Sequence, residues 1–179
     1  QREHLARIRV IAAASKTRIK LKWIADAHAT GTHLSIGLPY HNATFLKSLL
    51  AMLYWAEGSK YSGVSGLAFV NTDPILMELY LSLLRGSYRI DESRLRVRLH
   101  LHHYHPHRMA IRYWSKLLSV PISQFGKIYV KKRGRRKRFR RNFQGICFVR
   151  YFDSTIREEL LALGRAVAKK MKPPSSFNG

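Results

Sequence analysis

The sequence predicts an α+β fold in which an antiparallel sheet packs against helices. Residues 44–57 are apolar on every face of a helical turn, with Lys47 as the one charged residue before the terminal Glu57, so they form a helix that must be covered on all sides. Residues 94–102 alternate polar and apolar without interruption, which predicts a strand with one buried face. In chain order the patterns predict a basic helix, a core helix, strands, a helix, a strand, a helix, strands and a last helix.

Composition limits the functions that fit this chain. With 179 residues it is long enough for one domain, or for a domain with an appendage. The net charge of +23 indicates a polyanionic partner, with nucleic acid first and an anionic membrane surface second. No apolar run approaches the about 18 residues of a membrane-spanning helix, and the start has no signal-peptide pattern. We therefore expect a cytoplasmic or nucleoid-associated protein that is not secreted and not in a membrane.

The first segment, residues 1–43, is predicted to be a basic helix followed by a linker. A rough apolar stripe covers residues 3–29, and the seven Lys and Arg side chains of residues 2–22 occupy much of the remaining surface. Such a helix fits a phosphate backbone, an anionic membrane or the role of a solvated connector. Residues 31–42 contain Gly, Pro and Asn and are predicted to be the linker, with Asn42 or Thr44 capping the next helix.

The core helix is predicted to end on Glu57, just before Gly58. A carboxylate at a helix C-terminus faces the negative end of the macrodipole, which is unfavourable unless a cation lies nearby. Glu57 is therefore a candidate metal ligand. The alternative is that it is the first solvated residue after a buried helix.

The following stretch is predicted to contain one or two strands and a helix. Residues 61–71 are rich in Ser, Gly and apolar side chains, which indicates strands. Asp73 and Pro74 then open a helix that runs to about residue 84, with Asp73 as its cap.

The alternating strand carries a row of cationic side chains on one face. Neighbours along such a face are only about 7 Å apart, so like charges repel one another unless anions lie against them. We expect this face to contact nucleic acid, although a solvated strand is the alternative. The row consists of Arg94, Arg96, Arg98, His100 and His102.

Residues 100–107 contain five histidines, but they do not make a strong metal motif. His100 and His102 share a strand face, and no Cys or acidic residue lies close enough in sequence to complete a site. Pro106 begins a helix, and residues 127–130 are predicted to be a strand. The single Cys147 falls in an apolar run, which predicts a buried thiol in a reducing compartment.

A second cationic segment spans residues 131–141, where nine of the eleven residues are Lys or Arg. Such a run is predicted to be a mobile loop that orders on a phosphate backbone, with a localisation signal as the alternative. A central strand over residues 145–152, a capping box at Thr155 and Glu158, a final helix and a disordered tail over residues 172–179 complete the chain. The candidate phosphate-binding residues of the loop are Lys131, Lys132, Arg133, Arg135, Arg136, Lys137, Arg138, Arg140 and Arg141, with Lys127 preceding them.

The run LAMLYWAEGS at residues 50–59 resembles the motif of the LAGLIDADG homing endonucleases. Met52, Tyr54 and Trp55 depart from that motif, and Glu57 keeps the charge of the acid that the chemistry needs. The run GLAFVNTDP at residues 66–74 resembles the strand, turn and helix start that follow the motif, and the chain is also similar to uncharacterised bacterial proteins with a helix-turn-helix. The positions that match the motif by identity are Leu50, Ala51, Leu53, Ala56, Gly58 and Ser59.

The resemblance covers residues 44–171 and implies an αββαββα unit whose antiparallel sheet forms a saddle on DNA. It implies a homodimer through the helix at residues 44–57, since the chain has a single motif. It also implies Mg²⁺ at Glu57, with Lys127, Lys131 or Lys60 assisting, and cleavage of a pseudo-palindromic DNA duplex. The alternative is a catalytically inactive member that binds DNA or RNA as a regulator, an intron-splicing helper or a ribonucleoprotein component.

Overall fold

The computed structural model describes residues 1–61, 63, 65–131 and 143–171, which belong to two compact units divided after Tyr40. The first unit contains one helix, α1 (Arg2–Ile36). The prediction that the helix ends near residue 29 is wrong, because α1 continues through Gly31. One glycine inside a helix costs only about 1 kcal/mol relative to alanine, which is too little to end it.

In its described residues the second unit contains four helices and four strands, which confirms the predicted α+β class. Two short 3₁₀ turns, Glu92–Arg94 and Ile122–Gln124, precede β2 and β3. In chain order the elements are α2 (Ala43–Glu57), β1 (Leu67–Asn71), α3 (Pro74–Ser87), β2 (Leu95–His102), α4 (His107–Leu118), β3 (Tyr129–Lys131), β4 (Ile146–Tyr151) and α5 (Ser154–Lys170).

The sheet has the strand order β1-β4-β2-β3 and is mixed, so the prediction of an antiparallel sheet is wrong at one edge. β4 pairs antiparallel with both β1 and β2, whereas β2 and β3 run parallel. The connection from β2 to β3 contains α4, and a helical crossover of this kind is what parallel neighbours require. The central position predicted for β4 is confirmed.

One strand, β1, forms within the stretch predicted to hold one or two. In place of a strand before it, Gly58 makes an isolated antiparallel bridge to Phe69. The amide of Ser59 donates to the carbonyl of Ala68 at 2.9 Å beside this bridge. The C-terminal end of α2 is thereby fixed to the outer edge of β1.

Side-chain caps set the start of three helices. Asn42 Oδ1 accepts from the amide of Phe45 at 2.9 Å, and Asp73 Oδ1 accepts from the amide of Ile75 at 2.9 Å, as predicted. The capping box predicted at Thr155 is wrong. α5 starts two residues earlier than that box implies, because Asp153 caps it by accepting from the amide of Ile156 at 3.0 Å.

The core lies between one face of the sheet and the helices of the second unit. Its largest fully buried side chains include Tyr54, Phe69, Tyr80 and Trp114. The α2 and α5 backbones approach closely at Gly164, where an added Cβ would lie 3.1 Å from the Cβ of Trp55. None of the described helices is both long enough and apolar enough to cross a membrane.

Candidate nucleic-acid interface

The second face of the sheet, which we call the open face, faces away from the core. Along β2 the side chains alternate strictly between buried and more exposed positions, because a strand points successive side chains to opposite faces. β4 shows the same alternation, so its exposed side chains join those of β2. The register fixes the neighbours: Arg96 is opposite Arg150, Arg98 is opposite Phe148 and His100 is opposite Ile146.

The open face is cationic and aromatic. By register, no acidic side chain of the described strands lies on it. The predicted cationic row along β2 therefore exists and is wider than one strand. The open-face residues are Ala68 and Val70 of β1, Arg150, Phe148 and Ile146 of β4, Arg96, Arg98, His100 and His102 of β2, and Tyr129 and Lys131 of β3.

Arg94 does not belong to this row, although the sequence pattern includes it. It lies in the 3₁₀ turn before β2, where its guanidinium forms an ion pair with Asp153 at 3.1 Å. It also donates to the carbonyl of Phe152 and lies 5.4 Å from the ring centroid of Tyr151. Its charge is compensated within the chain, and its contacts join the ends of β2 and β4.

The arginines that remain on the open face have no acidic partner among the described residues. Arg96 donates to the carbonyls of Ser93 at 2.6 Å and Leu95 at 2.7 Å, which orients the guanidinium without neutralising it. Arg98 is exposed. These two side chains therefore present uncompensated positive charge to solvent.

Arg150 is a functional candidate that the sequence reasoning missed. Its guanidinium lies 5.0 Å from the ring centroid of Phe152, and its Nε is buried without a hydrogen-bond partner in the described part of the chain. The alternation in residues 146–151 could have identified it, because Cys147, Val149 and Tyr151 occupy the opposite face.

His100 lies between two aromatic rings on the open face. Its ring centroid is 4.1 Å from that of Phe148 and 4.8 Å from that of Tyr129. Desolvation by these neighbours, and secondarily the positive charge of Arg98, lower the pKa of His100 below its ordinary value. His100 is therefore mainly neutral near neutral pH, and its imidazole behaves as a polar ring more than as a cation.

The other histidines of this region serve the local fold. The buried His105 accepts from the amide of His102 through Nδ1 at 3.0 Å, and its Nε2 lies 2.8 Å from the carbonyl oxygen of Phe143. The same Nδ1 also lies 3.2 Å from the carbonyl oxygen of His102. The ring of His102 stacks on Tyr104 at 5.3 Å. Among the residues that the structure describes, no three His, Cys, Asp or Glu side chains form a metal-binding group.

Glu57 is exposed at the end of α2, and the hydroxyl of Tyr54 holds that end in place. The hydroxyl donates to the carbonyl of Ser59 at 3.0 Å and accepts from the amide of Ala68 at 3.3 Å. Burial raises the pKa of Tyr54, so this hydroxyl keeps its proton. Tyr54, which departs from the motif, thus connects α2 to β1 three residues before Glu57.

The structure does not bring Lys127 or Lys131 near Glu57 of the same chain. One row across the sheet runs from Gly58 through Phe69, Val149 and Val97 to Phe125. Its ends are four strand spacings apart, or about 19 Å. Both lysines lie at the Phe125 side of the sheet. Lys60 is closer to the acid, since its Nζ donates to the carbonyl of Ala56 at 3.3 Å.

Much of the second cationic segment falls outside the described residues. The predicted phosphate contacts of residues 132–141 therefore stay a prediction.

Cys147 does not contribute to the site. It is fully buried, and desolvation raises the pKa of its thiol, as expected for the structural thiol that the sequence predicts.

Within the second unit, α2 leaves a stripe of apolar side chains exposed, which we call the α2 stripe. α3 and α5 cover two sides of α2, and the remaining side carries Leu49 at 40% exposure, Met52 at 37% and Ala56. The prediction is that α2 is covered on all sides. The second unit covers every side of α2 except the one that carries the α2 stripe.

We compared the chain with protein-family profiles, curated proteins and solved structures, and found no significant match in any of the three comparisons. The resemblance to the LAGLIDADG family therefore rests on residues 50–59 and 66–74, and membership of that family stays a hypothesis.

Proposed function

We propose that this protein binds nucleic acid through the open face of its sheet. The observation that carries the proposal is that Arg96 lies opposite Arg150 on a face without acidic side chains in the described strands. Like charges placed directly opposite each other destabilise a sheet, and a bound phosphate converts that repulsion into two charge-assisted hydrogen bonds. The net charge of +23 favours the same partner over long range.

The salt dependence of binding tests this proposal. Each cation that contacts a phosphate contributes about one unit to the slope of log affinity against log salt. Arg98→Gln should lower that slope by about one, because Arg98 is exposed on the open face. Arg165→Gln removes an exposed charge of the same type from α5 and should leave the slope unchanged. An equal effect of both variants would mean that only the overall charge matters.

Within this class, the finer proposal is a LAGLIDADG-like homodimer that pairs through the α2 stripe. A second copy would cover the face of α2 that its own unit leaves exposed, and a twofold axis there would bring the two Glu57 side chains toward each other. The partner implied is a pseudo-palindromic double-stranded DNA.

A divalent-metal-dependent endonuclease is the most specific form of the proposal. One chain contributes the single carboxylate of Glu57, which is not a metal site by itself. Mg²⁺ is commonly held by one or two carboxylates together with water and substrate phosphate, so two copies on DNA fit its requirements. When bound, the metal would activate water and stabilise the leaving oxygen. Glu57 would hold it, Tyr54 would position the helix end, and Lys60, whose Nζ donates to the carbonyl of Ala56, would assist.

A catalytically inactive nucleic-acid-binding protein is the alternative function. Two observations favour it: among the described residues Glu57 belongs to no group of three His, Cys, Asp or Glu side chains, and Lys127 and Lys131 lie at the far side of the sheet. Such a protein would use the same open face as a regulator, a splicing helper or a ribonucleoprotein component.

A paired binding and cleavage assay separates the two functions. Wild type, Glu57→Gln and the control Glu78→Gln, an exposed acid of α3, are incubated with randomised duplex DNA and with structured RNA, in Mg²⁺ and in EDTA. Mg²⁺-dependent double-strand cuts that Glu57→Gln alone abolishes would support the endonuclease. Tight binding without cuts in any condition would overturn it and leave the binding proposal intact.

A further inference from the structure

Three aromatic rings lie side by side across the open face, one on each of three neighbouring strands. They belong to Phe148 of β4, His100 of β2 and Tyr129 of β3, which we call the aromatic strip. The centroid distance is 4.1 Å between Phe148 and His100 and 4.8 Å between His100 and Tyr129. The register places His100 directly beside Tyr129, so the contact is built into the sheet.

The outer end of the strip is accessible. Tyr129 is 57% exposed and lies in the short edge strand β3. The contact with His100 already restricts the position of the Tyr129 ring. A restricted ring loses little conformational entropy when a ligand stacks on it.

Cations lie on both sides of the strip along the strands. Arg98 precedes His100 on the same face of β2, and Lys131 follows Tyr129 on the same face of β3. Residues two apart on a strand face are about 7 Å from each other, which places positive charge next to the exposed ring. Aromatic rings with flanking cations in a groove are the arrangement that proteins use for single-stranded nucleic acid.

The strip distinguishes unpaired bases from paired ones. In a duplex the bases stack on one another and offer only their edges in the grooves, so an exposed ring finds no base face to contact. Bases in single strands, loops and bulges expose their faces and stack on aromatic side chains.

We propose that the aromatic strip stacks an unpaired base on Tyr129, while Arg98 and Lys131 bind the adjacent phosphates. This inference rests on the proposed nucleic-acid binding and narrows its ligand to molecules that contain unpaired nucleotides, which favours the RNA-binding alternative over a fully paired DNA duplex. Arg96 and Arg150 lie at the opposite end of β2 from Lys131, so the flanking part of the strand or duplex would continue over them. The lowered pKa of His100 favours a neutral imidazole, which suits contact with a base ring better than contact with a second phosphate.

Short oligouridine, short oligothymidine and a blunt duplex, each labelled with fluorescein, are the probes for this proposal. Wild type, Tyr129→Ala and Tyr129→Phe are compared by fluorescence anisotropy at one salt concentration, with Tyr113→Ala of α4 as a control for loss of another exposed tyrosine. Tyr129→Ala should weaken binding of the single strands by about 5- to 150-fold, since that is the range of one base-stacking contact. Tyr129→Phe, Tyr113→Ala and duplex binding should stay close to wild type.

A probe that reports on stacking provides a second measurement. 2-Aminopurine placed within the oligouridine should lose fluorescence when wild type or Tyr129→Phe binds, and should lose less with Tyr129→Ala. Equal loss of single-strand and duplex affinity in Tyr129→Ala, or no loss of single-strand affinity, would overturn the stacking proposal. Those results leave the proposed nucleic-acid binding standing, whereas wild type that binds none of the three probes overturns both.

Discussion

Arg96 and Arg150 are register partners on two adjacent antiparallel strands, so their side chains leave the same face of the sheet side by side, near the start of β2 and the end of β4. Arg96 is oriented by backbone carbonyls, and Arg150 has a buried Nε without a hydrogen-bond partner in the described residues. Neither arrangement neutralises the charge. The pair therefore costs stability in the free protein, and under the proposed function a bound phosphate would relieve the repulsion.

Replacing one member of this pair should stabilise the fold and weaken ligand binding. Arg150→Met keeps the aliphatic stem and removes the charge, so we expect the free energy of unfolding to rise by about 0.2 to 1 kcal/mol. Urea denaturation measures the gain, and the slope of nucleic-acid affinity against salt should fall by about one. The same change at the exposed Arg165 should alter neither quantity. A loss of stability together with unchanged affinity would contradict this account of the pair.

Two buried tyrosine hydroxyls should respond oppositely to deletion. Tyr54→Phe removes a hydroxyl that bonds Ser59 and Ala68, and it should cost about 1 to 3 kcal/mol, because buried backbone groups lose their partner. Tyr80→Phe removes a fully buried hydroxyl without a partner in the described residues, so it should be neutral or stabilising. Urea denaturation of both variants makes the comparison, and equal losses would show that the Tyr54 bonds do not hold the helix end.

The pKa of His100 should lie below 6.5, and Arg98→Gln should raise it part of the way. Desolvation is the larger cause of the shift, so most of it should remain in that variant. Because the unfolded chain binds the proton more readily, this histidine's contribution to stability is fully present above about pH 6.5, and it is lost as the pH falls from there through the lower pKa of the folded protein. NMR titration of the imidazole in both proteins tests the prediction, and no change in Arg98→Gln would remove the Arg98 charge as a cause.

A charge in the α2 stripe should prevent self-association. Met52→Glu would place two carboxylates close together at the proposed twofold axis, so we expect it to shift a wild-type dimer to monomer in sedimentation velocity. Met109→Glu, at a position on α4 that is 66% exposed, should leave the dimer intact. A wild type that is monomeric at every concentration tested, or a Met52→Glu protein that remains dimeric, would count against pairing through α2.

Local patterns in the sequence predict much of this fold, and the parts that depend on distant pairings are the ones it misses. The alternation of β2 and the caps at Asn42 and Asp73 involve neighbours along the chain, so their residues can be identified without coordinates. The parallel pairing of β3 depends on where α4 directs the chain. A strand of three residues is also too short to show a period.

In the candidate site, too, the sequence predicts what depends on neighbouring residues and misses what depends on distant pairings. The cationic row on β2 is visible in the sequence, whereas the Arg96 and Arg150 pair appears only once β2 and β4 are aligned. The pattern also includes Arg94, because alternation alone does not show that Asp153, far along the chain, takes up its charge. Likewise, the separation of Glu57 from Lys127 is a property of strand order, which the sequence does not contain.

The central position of β4 also governs how the fold can assemble during synthesis. β1 and β2 have no ladder with each other and meet through β4, with Leu67 and Leu95 both pairing to Tyr151. A nascent chain that ends before residue 146 therefore holds two strands with unpaired edges and an incomplete core, and such edges invite pairing with other chains. Because these contacts join residues far apart in sequence, folding should be slow for a chain of this length. The sheet is complete only after β4 has been synthesised. The unfinished chain is therefore more prone to aggregate than the folded protein.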